Sequence, residues 1–99
     1  MAVDDDLYTR ADAVIHLADK QCEVIGKGKV SASLMYATAR FGAWLTASGF
    51  SSSVEMKAAK NEAVEFLLHQ YRAMLEEDLA EYIENFDSYM KHGLQYIPA

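Results

Sequence analysis

The sequence cannot form the internal disulfide bonds that stabilise small secreted domains, and it is poor in proline and glycine. Its 99 residues include one cysteine, one proline and five glycines. Because Cys22 has no second cysteine to pair with, it fits a reducing cytoplasm, and the scarcity of glycine and proline excludes a disordered or loop-dominated chain. The sequence starts with MAVDDD, which is acidic where a secretory leader is basic. We therefore expect one cytoplasmic domain over residues 1–99.

Positive charge is also scarce. Nine Lys and Arg residues stand against fifteen Asp and Glu residues, so the net charge is −6. Residues 76–87 contain six acids and no base. Nucleic acids and anionic membrane surfaces both attract proteins through Lys and Arg, so we expect neither as a partner.

One long stretch is almost without charge: between residues 30 and 54 only Arg40 is charged. The stretch is long enough to cross a membrane, but an arginine at its centre costs about 2.5–3.5 kcal/mol of insertion free energy. Several Ser and Thr residues add polarity. The composition therefore favours a buried helix of a helical bundle over a membrane span.

Apolar spacing predicts an all-α fold, a small bundle of three helices at about residues 4–25, 31–48 and 52–91. Asp4 and Ser31 are the expected N-caps of the first two, Gly26 and Gly28 form the turn between them, and Ser52 with Glu55 has capping-box spacing. The second helix is apolar or small on nearly all sides, so we expect it to be the most buried. It carries a strip of small or slender side chains that would let another helix approach closely: Met35, Ala39, Gly42, Ala43 and Thr46.

The third predicted helix is too long for a compact domain. About 39 residues would span roughly 58 Å, whereas a domain of this size is about 35 Å across. Its apolar positions after residue 75 are rotated roughly 100° from the earlier ones. Either the helix bends or breaks near residues 75–80, or it continues and its second half packs on another subunit. The second alternative predicts a homodimer, with these candidate interface residues: Leu79, Tyr82, Ile83, Phe86, Tyr89 and Met90.

Arg40 is the first candidate for a binding site. Helical spacing places Tyr36 and Trp44 on its side of the second helix. One interpretation is a buried ion pair with a carboxylate of another helix, and the other is an arginine presented between two aromatics to bind an anion or a protein.

No other arrangement predicts a cofactor or a catalytic residue. Two acid–histidine pairs occur at a spacing of four, Asp12 with His16 and Glu65 with His69. Di-metal bundles use Glu and His at a spacing of three, so we interpret these pairs as exposed helix contacts and expect no metal. The sequence contains no glycine-rich phosphate loop and no nucleophile elbow, and we expect no enzymatic activity.

A family resemblance is found in three segments of the sequence: LYTRADAVIHLADKQ, VSASLMYATARFGAW and VEFLLHQYRAMLEEDLAEYIENFDSYM. The sequence resembles, from about residue 7 to 90, a family of short, uncharacterised proteobacterial proteins classed as a domain of unknown function. The resemblance implies a bacterial, cytoplasmic, helical protein, and it transfers no activity or site residue.

The sequence as a whole favours a non-enzymatic protein-interaction module that pairs with itself or with another protein. The alternative function is a small-ligand or anion-binding bundle that uses Arg40 with Tyr36 and Trp44.

Overall fold

Helices form nearly all of the chain that the computed structural model describes, which is residues 6–90. No β-strand occurs within that range, so the all-α prediction is confirmed. The number of helices is not the predicted three. In chain order they are α1 (Leu7–Ile25), α2 (Lys27–Ala47), α3 (Ser53–Ala58), α4 (Lys60–Glu84) and α5 (Phe86–Met90).

A single glycine separates the first two helices. Gly26 has a positive φ of 89°, and its N–H donates to the carbonyl of Cys22 at 3.0 Å, which ends α1. Glycine adopts this conformation without a steric cost, so the predicted stop at Gly26 is confirmed. The predicted cap of α1, Asp4, lies outside the described residues.

The predicted start of the second helix is wrong by four residues, because α2 begins at Lys27 rather than at Ser31. The N–H of Val30 already donates to the carbonyl of Gly26 at 3.3 Å. Helical hydrogen bonding therefore passes through Gly28, and Ser31 lies inside the helix instead of capping it.

The third predicted helix is interrupted twice. It begins as expected, since the Ser52 hydroxyl accepts from the N–H of Glu55 at 3.2 Å and donates to its carboxylate at 3.3 Å. It stops at Ala59, whose N–H is shared between the carbonyls of Glu55 and Met56 at 3.2 and 3.1 Å. Such shared bonds mark the tightened last turn of a helix.

The second interruption is at Asn85 and not at residues 75–80. The Asn85 side chain and its own N–H both donate to the carbonyl of Glu81, at 2.9 and 3.0 Å. Asparagine competes for backbone groups in this way, which favours a helix end. Of the two alternatives for the long helix, the break near residues 75–80 is therefore wrong, because α4 runs through those positions without interruption.

The described residues fall into two compact units. Within residues 6–90, the first contains residues 6–35 and 87–90, and the second is Tyr36–Phe86. Within the described part of the first unit, Ala18 of α1 and Val30 of α2 are buried. The prediction of a single domain over residues 1–99 stays a prediction.

No residue of the second unit is buried, although α2 and α4 touch there. The contact lies at Gly42, where a Cβ atom would come within 3.4 Å of the Leu67 Cδ1 atom. The Thr46 hydroxyl donates to the Gly42 carbonyl at 2.8 Å, so this polar side chain is satisfied within its own helix. The expectation that α2 is the most buried helix is wrong, since all but three of its residues are exposed, whereas five residues of the shorter α1 are buried or partly buried.

Within residues 6–90, no helix is both long enough and apolar enough to cross a membrane.

Candidate functional site

The structure places the three residues of the Arg40 candidate in one row on α2. Tyr36, Arg40 and Trp44 follow one another at intervals of four residues, which puts them on the same side of the helix. All three are exposed, Tyr36 by 67% and Trp44 by 63%. The Trp44 ring packs against Phe41, with the ring centroids 5.5 Å apart and the planes tilted by 43°. The aromatic pair stiffens this part of the row.

The guanidinium of Arg40 lies at the surface of the single chain. No carboxylate within residues 6–90 forms an ion pair with it, and the ion pair of Arg72 with Glu76 at 3.9 Å is an exposed contact along α4. Three acids of α4 lie in the same compact unit as Arg40 without pairing with it: Glu62, Glu77 and Asp78. One chain therefore offers Arg40 neither a buried environment nor a carboxylate among these residues.

The candidate interface near the end of the described chain is exposed in the same way. Leu79, Ile83, Phe86 and Met90 are each more than half exposed, whereas Tyr82 and Tyr89 are partly buried. The helix end at Asn85 divides this set between α4 and α5. The candidate interface made by these six residues stays a prediction.

The phenol of Tyr82 has a shifted pKa. Burial, followed by the negative charges of Glu81 and Asp78, raises the pKa of its phenol above the ordinary value of 10.0. Each of these causes disfavours the phenolate. The shift reports an apolar, acidic environment and not a catalytic group.

A further apolar row on α4 was missed by sequence reasoning. Val64, Leu68, Tyr71 and Leu75 are between 40% and 55% exposed, and we call them the α4 stripe. They follow one another at spacings of four, three and four residues, the pattern of a helix that packs along another helix. The spacing could have been read from the sequence, but the prediction assigned Tyr71 to the early face and Leu75 to the late face of one long helix and assigned Val64 and Leu68 to neither.

The acid–histidine pairs stay separate in the structure. Asp12 and His16 are exposed on α1, and Glu65 and His69 are exposed on α4. Within residues 6–90, no three His, Cys, Asp or Glu side chains come together in a group that could hold a metal ion. The two pairs therefore do not build a shared site there.

Comparison with known proteins gives a family and a fold, but no activity. The sequence model of the family described as "Protein of unknown function (DUF3144)" matches residues 7–83. The NMR structure of the protein NB7890A from Shewanella sp. is 35% identical and has a TM-score of 0.76, and the match covers 93% of this chain and 98% of that one. No curated protein matches the chain.

Proposed function

Since this chain belongs to the family of proteins of unknown function DUF3144, we propose that it is a non-enzymatic helical module that acts by binding protein, beginning with a second copy of itself. The family gives no activity, so the proposal depends on the surfaces of the chain. The most prominent features of those surfaces are apolar, whereas reactive side chains are scattered.

The observation that carries the proposal is the exposure of large apolar side chains. Among residues 6–90, 24 of them are exposed, and only Ala18 and Val30 form a buried apolar core. At roughly 100 Å² for each half-exposed side chain, the exposed set amounts to on the order of 2,000 Å² per chain. A standard protein interface covers about 800 Å² on each partner, and large exposed apolar patches mark interaction sites.

A second copy of the chain is the simplest partner that fits. The apolar residues are distributed over all five helices rather than gathered in one pocket, and small-molecule sites are concave. A net charge of −6 disfavours nucleic acid. Permanent homodimer interfaces are large and apolar, which is the kind of surface that this chain carries.

Light scattering after size-exclusion chromatography tests this proposal. We expect a mass of at least twice the 11.1 kDa of one chain at micromolar concentration. A helical, cooperatively folded protein with the mass of one chain, across a range of concentrations, would contradict the proposal.

Anion binding at Arg40 is the second candidate function. The specific observation in its favour is that Arg40 is exposed between two exposed aromatics and has no carboxylate partner within residues 6–90. A guanidinium in this position can bind a carboxylate or a phosphate by two parallel hydrogen bonds. The site is open to water, so we expect dissociation constants of about a millimolar.

Trp44 provides the readout for this second function, because it is the one tryptophan of the sequence. Titration with inorganic phosphate and with citrate should change its fluorescence in the native chain and not in Arg40→Gln. Arg40→Lys keeps the charge but loses the two-pronged geometry, so it should bind more weakly. The same fluorescence response in Arg40→Gln would rule the site out.

We also propose a cytoplasmic location, in keeping with the single, partly buried Cys22. Fractionation of the bacterial host, followed by detection of the tagged protein, would test this location. Detection in the membrane or periplasmic fraction would contradict it.

A further inference from the structure

We infer that α4 of one chain pairs with α4 of a second copy in antiparallel orientation, through the α4 stripe. This inference rests on the proposed self-association and specifies its geometry. Val64, Leu68, Tyr71 and Leu75 repeat at the spacing of the two core positions of a coiled coil, and each is exposed in the single chain. The face of α4 that meets α2 is a different one, since Leu67 contacts Gly42. The α4 stripe is therefore open to another helix while the contact between α2 and α4 is kept.

The spacing of the stripe fixes one antiparallel register. When the two-fold axis crosses α4 midway between Leu68 and Tyr71, Leu68 lies opposite the partner's Tyr71. Val64 then lies opposite the partner's Leu75. Each pair occurs twice because a two-fold interface uses the same residues on both sides. Four apolar layers result, with an aliphatic side chain against a ring at the centre.

The charges that flank the stripe agree with this register. Lys60 borders the stripe on one side, and in the antiparallel pair it meets the partner's Glu81. Glu65 borders it on the other side and meets the partner's Arg72. Lys60, Glu65, Arg72 and Glu81 are all exposed in the single chain. Arg72 also meets Glu76 of its own helix at 3.9 Å in an exposed contact, which is weak in water. Opposite charges at these flanking positions select partner and orientation in helical pairs.

A parallel pair would place like charges together. Asp78 occupies the next core position of the repeat and would meet the partner's Asp78. The segment 76–84, which has five acids and no base, would run beside its own copy. Carboxylates at short range repel, and burial of one charge against another costs still more free energy.

The neighbouring antiparallel register is also disfavoured. A shift of the axis to a position between Tyr71 and Leu75 would set Leu68 against the partner's Asp78. It would also set Arg72 against the partner's Arg72. The first contact buries an unpaired carboxylate, and the second repels. Charge thus favours the one register in which all four flanking residues meet an opposite sign.

Crosslinking between two single-cysteine variants tests this geometry. Cys22→Ser removes the native thiol, and Glu65→Cys and Arg72→Cys are then made in separate chains. The two variants are unfolded, mixed, refolded together and treated with a short bis-maleimide. Because each chain carries one thiol, every crosslink joins two chains. We expect at least about tenfold more crosslinked dimer from the mixture than from either variant alone.

The outcomes separate the pairing from the proposed function. A crosslink from Arg72→Cys alone identifies the neighbouring antiparallel register and overturns ours. A crosslink from Glu81→Cys alone, made as a third variant, identifies the parallel pair. A protein that is dimeric by light scattering but gives no Glu65–Arg72 crosslink contradicts only the α4 pairing. A protein that is monomeric in the same measurement contradicts the proposed self-association as well.

Discussion

At the scale of single residues, Gly42 lies where α2 approaches the Leu67 side chain of α4. A methyl group added there would lie 3.4 Å from the Leu67 Cδ1 atom, an ordinary contact with the end of a side chain that can move. Gly is also a poor helix former, by about 0.5–1 kcal/mol relative to Ala. We therefore predict that Gly42→Ala leaves the free energy of unfolding unchanged or raises it by up to about 1 kcal/mol, as measured by urea denaturation.

Gly42→Leu is the counterpart of that substitution. A leucine needs space that the Leu67 side chain occupies, so the two helices must separate, and we expect a loss of about 1–3 kcal/mol. Gly28, with no atom within 4 Å of an added Cβ, is the matched control for helix propensity alone. If Gly42→Leu and Gly28→Leu change stability equally, the contact with Leu67 does not matter.

Tyr82 gives a prediction for alkaline pH. Burial and the neighbouring acids raise the pKa of its phenol, so the folded protein holds this proton more tightly than the unfolded chain does. The contribution to stability is complete below pH 10 and is lost as the pH rises through the folded-state pKa. We predict that Tyr82→Phe reduces the loss of stability above about pH 10, as measured by urea denaturation over a pH series.

The exposed Tyr36 provides the control for Tyr82. Tyr36→Phe makes the same chemical change at a side chain that is 67% exposed, and it is measured in the same pH series for comparison. Equal slopes in the two variants would remove Tyr82 as the source of the effect.

At the scale of elements, the sequence predicts helix ends only where a residue encodes them. Gly26 and the pair Ser52 with Glu55 end and begin helices as expected, because a positive φ and a capping hydroxyl are local properties. Ala59 ends α3 without any such signal, and the start of α2 passes over Ser31 because the helix nucleates directly after Gly26. These two ends depend on the surrounding backbone, and local preference does not report them.

The Ser52 cap supports a prediction of its own. Its hydroxyl satisfies the N–H of Glu55 at 3.2 Å, and no residue of α3 is buried, so this helix depends on its cap more than on packing. We predict that Ser52→Ala lowers the free energy of unfolding by about 1 kcal/mol. Ser51→Ala, one residue outside the cap, should have no effect in the same urea denaturation series. Equal losses in both variants would mean that the cap has no particular role.

At the scale of the whole molecule, the apolar content of the sequence predicted that side chains are buried, but it did not predict which surface they pack against. The second helix was expected to be the most buried because it is nearly free of charge, yet its Phe41 and Trp44 are both 63% exposed in the single chain. A hydrophobic pattern in a sequence indicates that one face of a helix is buried. The pattern is the same whether that face packs against another helix of the same chain or against a second chain. The same ambiguity hid the α4 stripe, and it leaves the role of Arg40 to experiment.

The largest effect that we predict at this scale is that of a substitution in the α4 stripe. Leu68 is 55% exposed in the single chain, so in a monomer its replacement by glutamate would change stability by at most about 0.5 kcal/mol. In the inferred dimer it contacts the partner's Tyr71 near the two-fold axis, and each interface contains it twice. We predict that Leu68→Glu raises the dissociation constant of the dimer by about 100-fold or more, equivalent to roughly 3 kcal/mol.

Phe66 is the matched control, because it lies on the same helix and is 61% exposed but points away from the stripe by about half a turn. Phe66→Glu introduces the same charge two residues away, so it equals Leu68→Glu in net charge and changes the opposite face of α4. Neither substitution lowers helix propensity appreciably, because glutamate is about as good a helix former as leucine and a better one than phenylalanine. Light scattering over a dilution series should therefore give a monomer for Leu68→Glu at concentrations where Phe66→Glu is still dimeric. If both variants dissociate at the same concentration, the added negative charge weakens the dimer wherever it is placed. General charge repulsion, and not contact through the α4 stripe, would then explain the result.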